Sequence, residues 1–155
     1  MNESLATADC PDRARSSPAD VSSAESCSPI LIIEDEALVA QSLADLVSDA
    51  GFLALGPVAT AAEAVRVLDR CRPHAAILDI VLRNGMATRV AIELASRSIP
   101  FIVYSGLPPG GVSLPELARM RWHEKPASGD ELISSLAELI GEDVRLGPRT
   151  LEVGG

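Results

Sequence analysis

Aromatic side chains are almost missing from this 155-residue sequence: two Phe, one Tyr and one Trp, 3% in all. So few rings leave no base-stacking platform for single-stranded nucleic acid. Basic residues are also scarce, 13 Lys plus Arg against 22 Asp plus Glu, for a formal charge of −9. A broad basic face for phosphate backbones is therefore excluded, and no nucleic-acid partner is expected. No apolar run approaches the roughly 20 residues that cross a bilayer, so membrane insertion is not expected either. The N-terminus lacks the basic segment and apolar stretch of a secretory signal. Cysteine is sparse and odd in number (Cys10, Cys27, Cys71). That pattern predicts reduced thiols in a cytoplasmic protein rather than a disulfide framework. No two cysteines have C-x-x-C spacing and His74 and His123 stand alone, which argues against zinc.

What is present is aliphatic: 47% of residues are apolar, enough at this length to fill one core without staples. Residues 1–28 mix Ser, Asp, Ala, Pro and Arg without periodicity and read as a disordered leader. At Pro29 the composition changes. Ile30-Leu31-Ile32-Ile33 is a short apolar run of the kind buried on both faces of a sheet. Val39, Leu43, Leu46, Val47 and Ala50 then form one helical stripe, with Gly51 as its stop. Phe52 to Val58 is a second strand, and Thr60-Ala-Ala-Glu63 opens a second helix with a capping-box pattern. Ala75 to Ile80 is the third strand; Met86, Val90 and Leu94 mark a third helix; Phe101 to Ser105 is the fourth strand. Pro108-Pro109-Gly110-Gly111 is a loop, followed by a short helix near Ser113–Glu116, finished by Met120. Arg121 to Glu124 is a weak fifth strand. Ser128-Gly-Asp-Glu131 caps a last helix striped by Leu132, Leu136, Leu139 and Ile140, with Gly141 as its stop and residues 142–155 as a flexible tail. Five strands alternating with helices across residues 29–141 predict an α/β domain with a parallel, doubly wound sheet.

The polar residues gather at one kind of place. Glu34 and Asp35 follow the first strand, Asp79 ends the third, Ser105 ends the fourth and Lys125 follows the fifth. Open α/β sheets bind ligands at the carboxyl ends of their strands. In the order 2-1-3-4-5 the switch point lies between strands one and three, which sets Asp35 beside Asp79. Three carboxylates in one cleft repel, and a hard divalent cation such as Mg²⁺ relieves them. A cation and a lysine together receive a phosphoryl group well, and a carboxylate can serve as the nucleophile. Ser105 can donate to a phosphoryl oxygen.

These residues have plainer readings too. Glu34, Asp35 and Glu36 also suit a helix N-terminus, where the dipole favours acids. Ser105-Gly106 is an ordinary turn pair, and Lys125 alone could be a surface lysine. Trp122 fits either as core filler or as a moving part. Asp79 resists such a reading, because a buried strand tolerates a carboxylate only with partners.

The set LIIEDE, AAILDI, IVYSG and HEKP, in that order and spacing, resembles the receiver domain of two-component response regulators across about Pro29 to Gly141. The resemblance implies a flavodoxin-like (βα)5 fold with a five-stranded sheet in the order 2-1-3-4-5. It also implies Asp79 as phosphoacceptor, Mg²⁺ on Glu34, Asp35, Asp79 and the Val81 backbone carbonyl, Lys125 on the phosphoryl group, and Ser105 with Trp122 as switch residues. Such a protein is not an enzyme beyond its own phosphorylation and dephosphorylation. Its partners are a histidine kinase or histidine phosphotransfer protein and an unidentified downstream protein. Residues 142–155 are too few for an output module, so a stand-alone, cytoplasmic regulator or a phosphate sink is expected. The sequence departs from the family in its Trp at the aromatic switch position, in IVLRNG after Asp79, and in its truncated fourth helix. Val81 and Leu107, which flank the phosphoryl group in this family, are apolar and cannot orient water, so slow loss of the phosphoryl group is expected. Two alternatives stand beside this reading: a phosphorylation-independent docking module, and a haloacid-dehalogenase-like phosphatase, whose second Asp would fall at Val81.

Overall fold

The aliphatic runs form a parallel sheet in the computed structural model, which describes residues 28–154 and the side chains of residues 28–141. The five long strands are β1 (Pro29–Ile33), β2 (Leu53–Val58), β3 (Ala75–Leu78), β6 (Phe101–Ser105) and β7 (Arg121–Glu124). They lie in the order β2-β1-β3-β6-β7, which is 2-1-3-4-5 when only these strands are counted. Between β3 and β6, β4 (Val81–Leu82) and β5 (Gly85–Met86) pair antiparallel as a small hairpin. The helices are α1 (Ala37–Asp49), α2 (Ala61–Arg70), α3 (Thr88–Ser96) and α4 (Gly129–Gly154), with a single 3-10 turn at Pro115–Leu117.

Alternation along each strand divides the core in two. Ile30 and Ile32 of β1, Ile77 of β3, and Ile102 and Tyr104 of β6 pack with Leu43, Val47, Leu132 and Leu136 of α1 and α4. Leu31, Ile33, Leu78, Phe101 and Val103 face the other way, onto Ala64, Val67 and Leu68 of α2 and Val90, Ala91 and Leu94 of α3. Each fully buried aliphatic side chain contributes about 1.5–3 kcal/mol from removal of apolar area. Polar residues on the strand interiors would forfeit that on both faces, which is why the polar groups appear only where the strands end.

Caps set the helix limits. Glu63 N donates to Thr60 Oγ1 (3.1 Å), while the Glu63 carboxylate accepts from Ala59 N (2.9 Å), one residue earlier than a standard box. Glu131 N donates to Ser128 Oγ at the start of α4 (3.1 Å). Gly51, at φ +98°, ends α1 as expected.

Several expectations are corrected. Gly141 does not stop the last helix: its φ is not positive, and a lone glycine costs a helix only about 1 kcal/mol relative to alanine. Helix α4 therefore continues through the segment read as a tail. Met86 belongs to β5 rather than to α3 and is 46% exposed. The short fourth helix shrinks to the 3-10 turn, because Pro108, Pro109, Gly110 and Gly111 forbid a longer one. Cys71 is buried and disulfide-bonded rather than reduced; Cys10 and Cys27 both precede Ser28, so its partner lies outside the described residues. The leader at residues 1–28 lies outside them too, apart from Ser28. Among the described residues no helix is long and apolar enough to cross a membrane.

Candidate functional site

Strand register builds the site. Ile33 pairs with Leu78, and Asp79 N donates to Ile33 O (3.0 Å), so Glu34 and Asp79 emerge together at the carboxyl edge of β1 and β3. These are the neighbouring strands at which the order reverses, the switch point of the sheet. A bulge on the other side of β1 aims this end. Its register with β2 slips between Leu31 and Ile33, and Glu34 N donates to Val58 O (2.9 Å). Gly56 makes the slip possible: its φ is +89°, and a Cβ there would sit 2.8 Å from Val58 N and 3.2 Å from Ile32 O. On the far side Ser105 pairs with Glu124, and Lys125 N donates to Ser105 O (2.8 Å), delivering Lys125 to the same edge. The Lys125–Pro126 peptide is cis.

Glu34 is 2% exposed and Asp79 4%. Both depend on Lys125, whose Nζ donates to Glu34 Oε1 (2.9 Å) and to Asp79 Oδ2 (2.8 Å). The ammonium also lies 5.5 Å from the centre of the Tyr104 ring. Backbone donors take the remaining oxygens of these two acids: Glu36 N on Glu34 Oε2 (3.1 Å) and Val81 N on Asp79 Oδ1 (3.1 Å). Burial raises the Glu34 carboxyl above its ordinary value, outweighing the hydrogen bonds from Lys125 and Glu36 that pull it down. Burial acts to lower Lys125, but the hydrogen bonds to Asp79 and Glu34 prevail and hold its ammonium above the ordinary value.

Asp35 completes an acidic trio. One carboxylate oxygen each from Glu34, Asp35 and Asp79 lie within 4.8 Å of one another. Ligands of an octahedral Mg²⁺ stand about 3.0 Å apart when adjacent and about 4.2 Å when opposed, so these hard oxygen donors suit such an ion once they draw in around it. Val81 sits opposite Met86, next to the Leu82–Gly85 pair that closes the two-residue loop. That is a position whose N–H and carbonyl stay outside the ladder. Its N–H serves Asp79, and its carbonyl remains for a ligand.

Ser105 is fully buried, but its hydroxyl accepts from Leu107 N (3.2 Å) and makes no hydrogen bond to the three acids. Trp122 is half-buried, packs against the α2/α3 side of the core, and donates from Nε1 to Leu107 O (2.8 Å). The backbone of Leu107 thus lies between the two residues read as switch elements. His74 is exposed; His123 bonds through Nε2 with Ser135 Oγ (2.8 Å), away from the acids. One participant escaped the sequence reading. Arg83, at the hairpin tip, donates from its backbone N to Asp35 Oδ2 (2.5 Å) and sets its Nε 3.7 Å from the same oxygen. Asn84-Gly85, a turn-forming pair, was the signal available for that hairpin.

No family model matches the chain. The transcriptional regulatory protein PdtaR of Mycobacterium tuberculosis is 30% identical over 112 residues, an alignment covering 69% of this chain and 54% of that protein. The chain thus spans about half the length of the curated relatives it matches. Among solved structures it is similar to the receiver domain of the Erythrobacter litoralis response regulator PhyR, with a TM-score of 0.67 and 24% identity over 76% of this chain and 92% of that one. It is also similar to the receiver domain of the sensor histidine kinase PA1611 from Pseudomonas aeruginosa PAO1, which holds a magnesium ion in its active-site cleft. There the TM-score is 0.66 and the identity 24%, over 74% of this chain and 98% of that one. The flavodoxin-like fold and the receiver-domain resemblance read from the sequence are both borne out by these matches.

Proposed function

We propose that this chain, a response-regulator receiver domain by its fold, is a phosphoacceptor that takes a phosphoryl group onto Asp79 from a histidine kinase or histidine phosphotransfer protein. The observation carrying the reading is the Lys125 ammonium bonded to both Asp79 and Glu34, with Asp35 completing the trio. An Asp79 carboxylate oxygen forms the new P–O bond as the P–N bond to the donor's imidazole breaks, and the imidazole nitrogen keeps the electron pair. Lys125 follows the negative charge from the Asp79 carboxylate to the phosphoryl oxygens. Glu34, Asp35, Asp79 and the Val81 carbonyl would hold a divalent cation, Mg²⁺ by their hardness, which when bound neutralises charge on those oxygens. The Ser105 hydroxyl, which accepts from Leu107 but has an unused proton, donates to the phosphoryl group; the pull reaches Trp122 through Leu107. The two conformations are then read by a downstream protein, or the group is simply stored. A kinase donor works from ATP, so the reading puts the protein in the cytoplasm.

The test is labelling with acetyl phosphate in Mg²⁺, followed by intact mass. The wild-type chain should gain one phosphoryl mass, and Asp79→Asn none. A mutant that still gains it has its acceptor elsewhere. A wild-type chain that never gains it is a docking module rather than a phosphoacceptor.

A further inference from the structure

The hairpin between β3 and α3 has a buried root and an exposed tip. Leu82 is 3% exposed within the α2/α3 core, and Ala87 N donates to Ile80 O (2.7 Å) across the base. These contacts fix where the two-residue loop of Arg83 and Asn84 can go, and it returns to Asp35, 48 residues earlier in the chain. There the Arg83 backbone N–H and guanidinium converge on one carboxylate oxygen, Asp35 Oδ2. Elsewhere in the trio, both oxygens of Glu34 and both of Asp79 already have donors from Lys125, Glu36 and Val81. Asp35 Oδ1 is the one oxygen of the three acids without a protein donor among the described residues. The two cationic side chains at the site therefore divide it: Lys125 serves the buried pair, and Arg83 serves the more open acid, whose side chain is 13% exposed.

We propose that Arg83 is a positioning residue that competes with the divalent cation for Asp35, so that loading of the site and release of the hairpin tip are coupled. The inference rests on the metal-binding reading above. A dication taking the open Asp35 Oδ1 shares that carboxylate with the Arg83 guanidinium on Oδ2 and is repelled by its positive charge. Either the ion or Arg83 has the full charge of that carboxylate. The coupling is reciprocal: whatever draws the hairpin tip away from Asp35 tightens cation binding, and cation binding frees the tip. Val81 and Met86, 44% and 46% exposed, pair one step below that loop, so release of the tip changes the surface beside the acceptor while Val81 stays at the site.

The test is direct titration with Mn²⁺ as the probe ion, free Mn²⁺ being read by its electron paramagnetic resonance signal. It uses the full chain and its Arg83→Ala, Arg83→Lys and Asp35→Asn variants. The Arg83 side chain is 79% exposed, so its effect is modest: Arg83→Ala should bind Mn²⁺ about 1.5- to 5-fold tighter at low ionic strength, the range that one exposed ion pair is worth. The difference should fade toward 1 M salt, where screening reaches about 3 Å, and Arg83→Lys should bind like the wild type. A merely structural arginine would leave affinity unchanged or lower it in Arg83→Ala, without salt dependence, and either result overturns the proposal. Failure of the underlying reading looks different: Asp35→Asn would bind Mn²⁺ as well as the wild type, or no form would bind it at all, and the proposal falls with it.

Discussion

Removing the Lys125 charge should expose how much of this fold rests on one ammonium. Methionine at 125 keeps the length and apolar stem of the side chain but leaves Glu34 and Asp79, 2% and 4% exposed, facing each other without a counter-charge. Breaking a buried pair costs about 3–5 kcal/mol. The low end applies here, about 3 kcal/mol, because the Lys125 side chain is itself 21% exposed. For a domain of this size each kcal/mol moves Tm by about 2–4 °C, so Lys125→Met should melt about 6–12 °C below the wild type at pH 8 in EDTA, followed by far-ultraviolet circular dichroism. The loss should depend on pH with a definite sign. Glu34 already has a folded-state value above its ordinary 4.5, so the stability it contributes is complete below 4.5 and disappears as pH rises through the folded value. Deleting Lys125 removes the largest influence holding Glu34 down, and the variant takes up a proton at higher pH than the wild type. The gap in Tm should therefore narrow between pH 8 and pH 5. Lys125 itself, raised above 10.5, contributes stability that is present at pH 8 and is lost only as pH climbs through its folded value. Equal Tm values at pH 8, or a gap as wide at pH 5, would refute the view that this ammonium is what makes the two acids tolerable.

Two other substitutions probe separate parts of the site. Val81→Asn places an amide beside Asp79, where Val81 N already bonds Asp79 Oδ1; the phosphoryl group should be lost on the order of tenfold faster, short of the 10²–10⁴ of a full general base. Intact mass against time after removal of acetyl phosphate measures it, and an unchanged lifetime counts against the water-exclusion argument. Gly56→Ala should cost about 1–3 kcal/mol by forcing a side chain into the positive-φ region and against Val58 N, and should weaken Mn²⁺ binding as the β1 end loses its aim. Thermal unfolding and the same titration check both, and a full-strength site in a destabilised protein would separate the bulge from the site.

Much of this molecule was legible because its strands are short runs of aliphatic residues with no polar interruption. Ile30 to Ile33 cannot alternate polar and apolar, so β1 had to be covered on both faces, and Ile30 with Ile32 and Leu31 with Ile33 do fill two separate cores. The acids and the lysine were legible for the same reason: in so apolar a sheet each polar group falls at a strand end. What escaped is what strand-length patterning cannot carry. A two-residue strand has no period, so neither Val81–Leu82 nor Gly85–Met86 leaves a signal: Met86 reads as the start of a helix stripe, and Arg83 escapes notice beside it. Whether glycine stops a helix depends on φ, which separates Gly51 from Gly141 although the letter is the same. The state of Cys71 depends on a partner far away in sequence.

The escaped and the legible parts meet in one electrostatic argument. Three acids and one lysine leave the strand-end cluster with an excess of negative charge, which burial makes expensive; burial first, and the Asp79 charge to a lesser degree, raise Glu34. A fold can relieve such an excess with a further fixed cation inside the site, but that would fill the place a dication needs. Here the second cationic side chain comes from a hairpin tip, 79% exposed and joined to the most open of the three acids. It screens the cluster yet stays in water, so withdrawing it costs little desolvation. On the proposed reading, phosphorylation moves this charge outward and adds to it. Asp79 would give up its carboxylate charge to the acyl bond, the phosphoryl oxygens would carry more than was lost, and the Lys125 ammonium, just past β7, and the buried Ser105 hydroxyl, at the end of β6, stand at the same edge to follow it. Because Ser105 accepts from Leu107 N while Trp122 donates to Leu107 O, any displacement of that hydroxyl toward the acceptor stretches a backbone already held from both sides. On that reading, the charge imbalance that burdens the folded chain is the same quantity that would draw on its loop after β6.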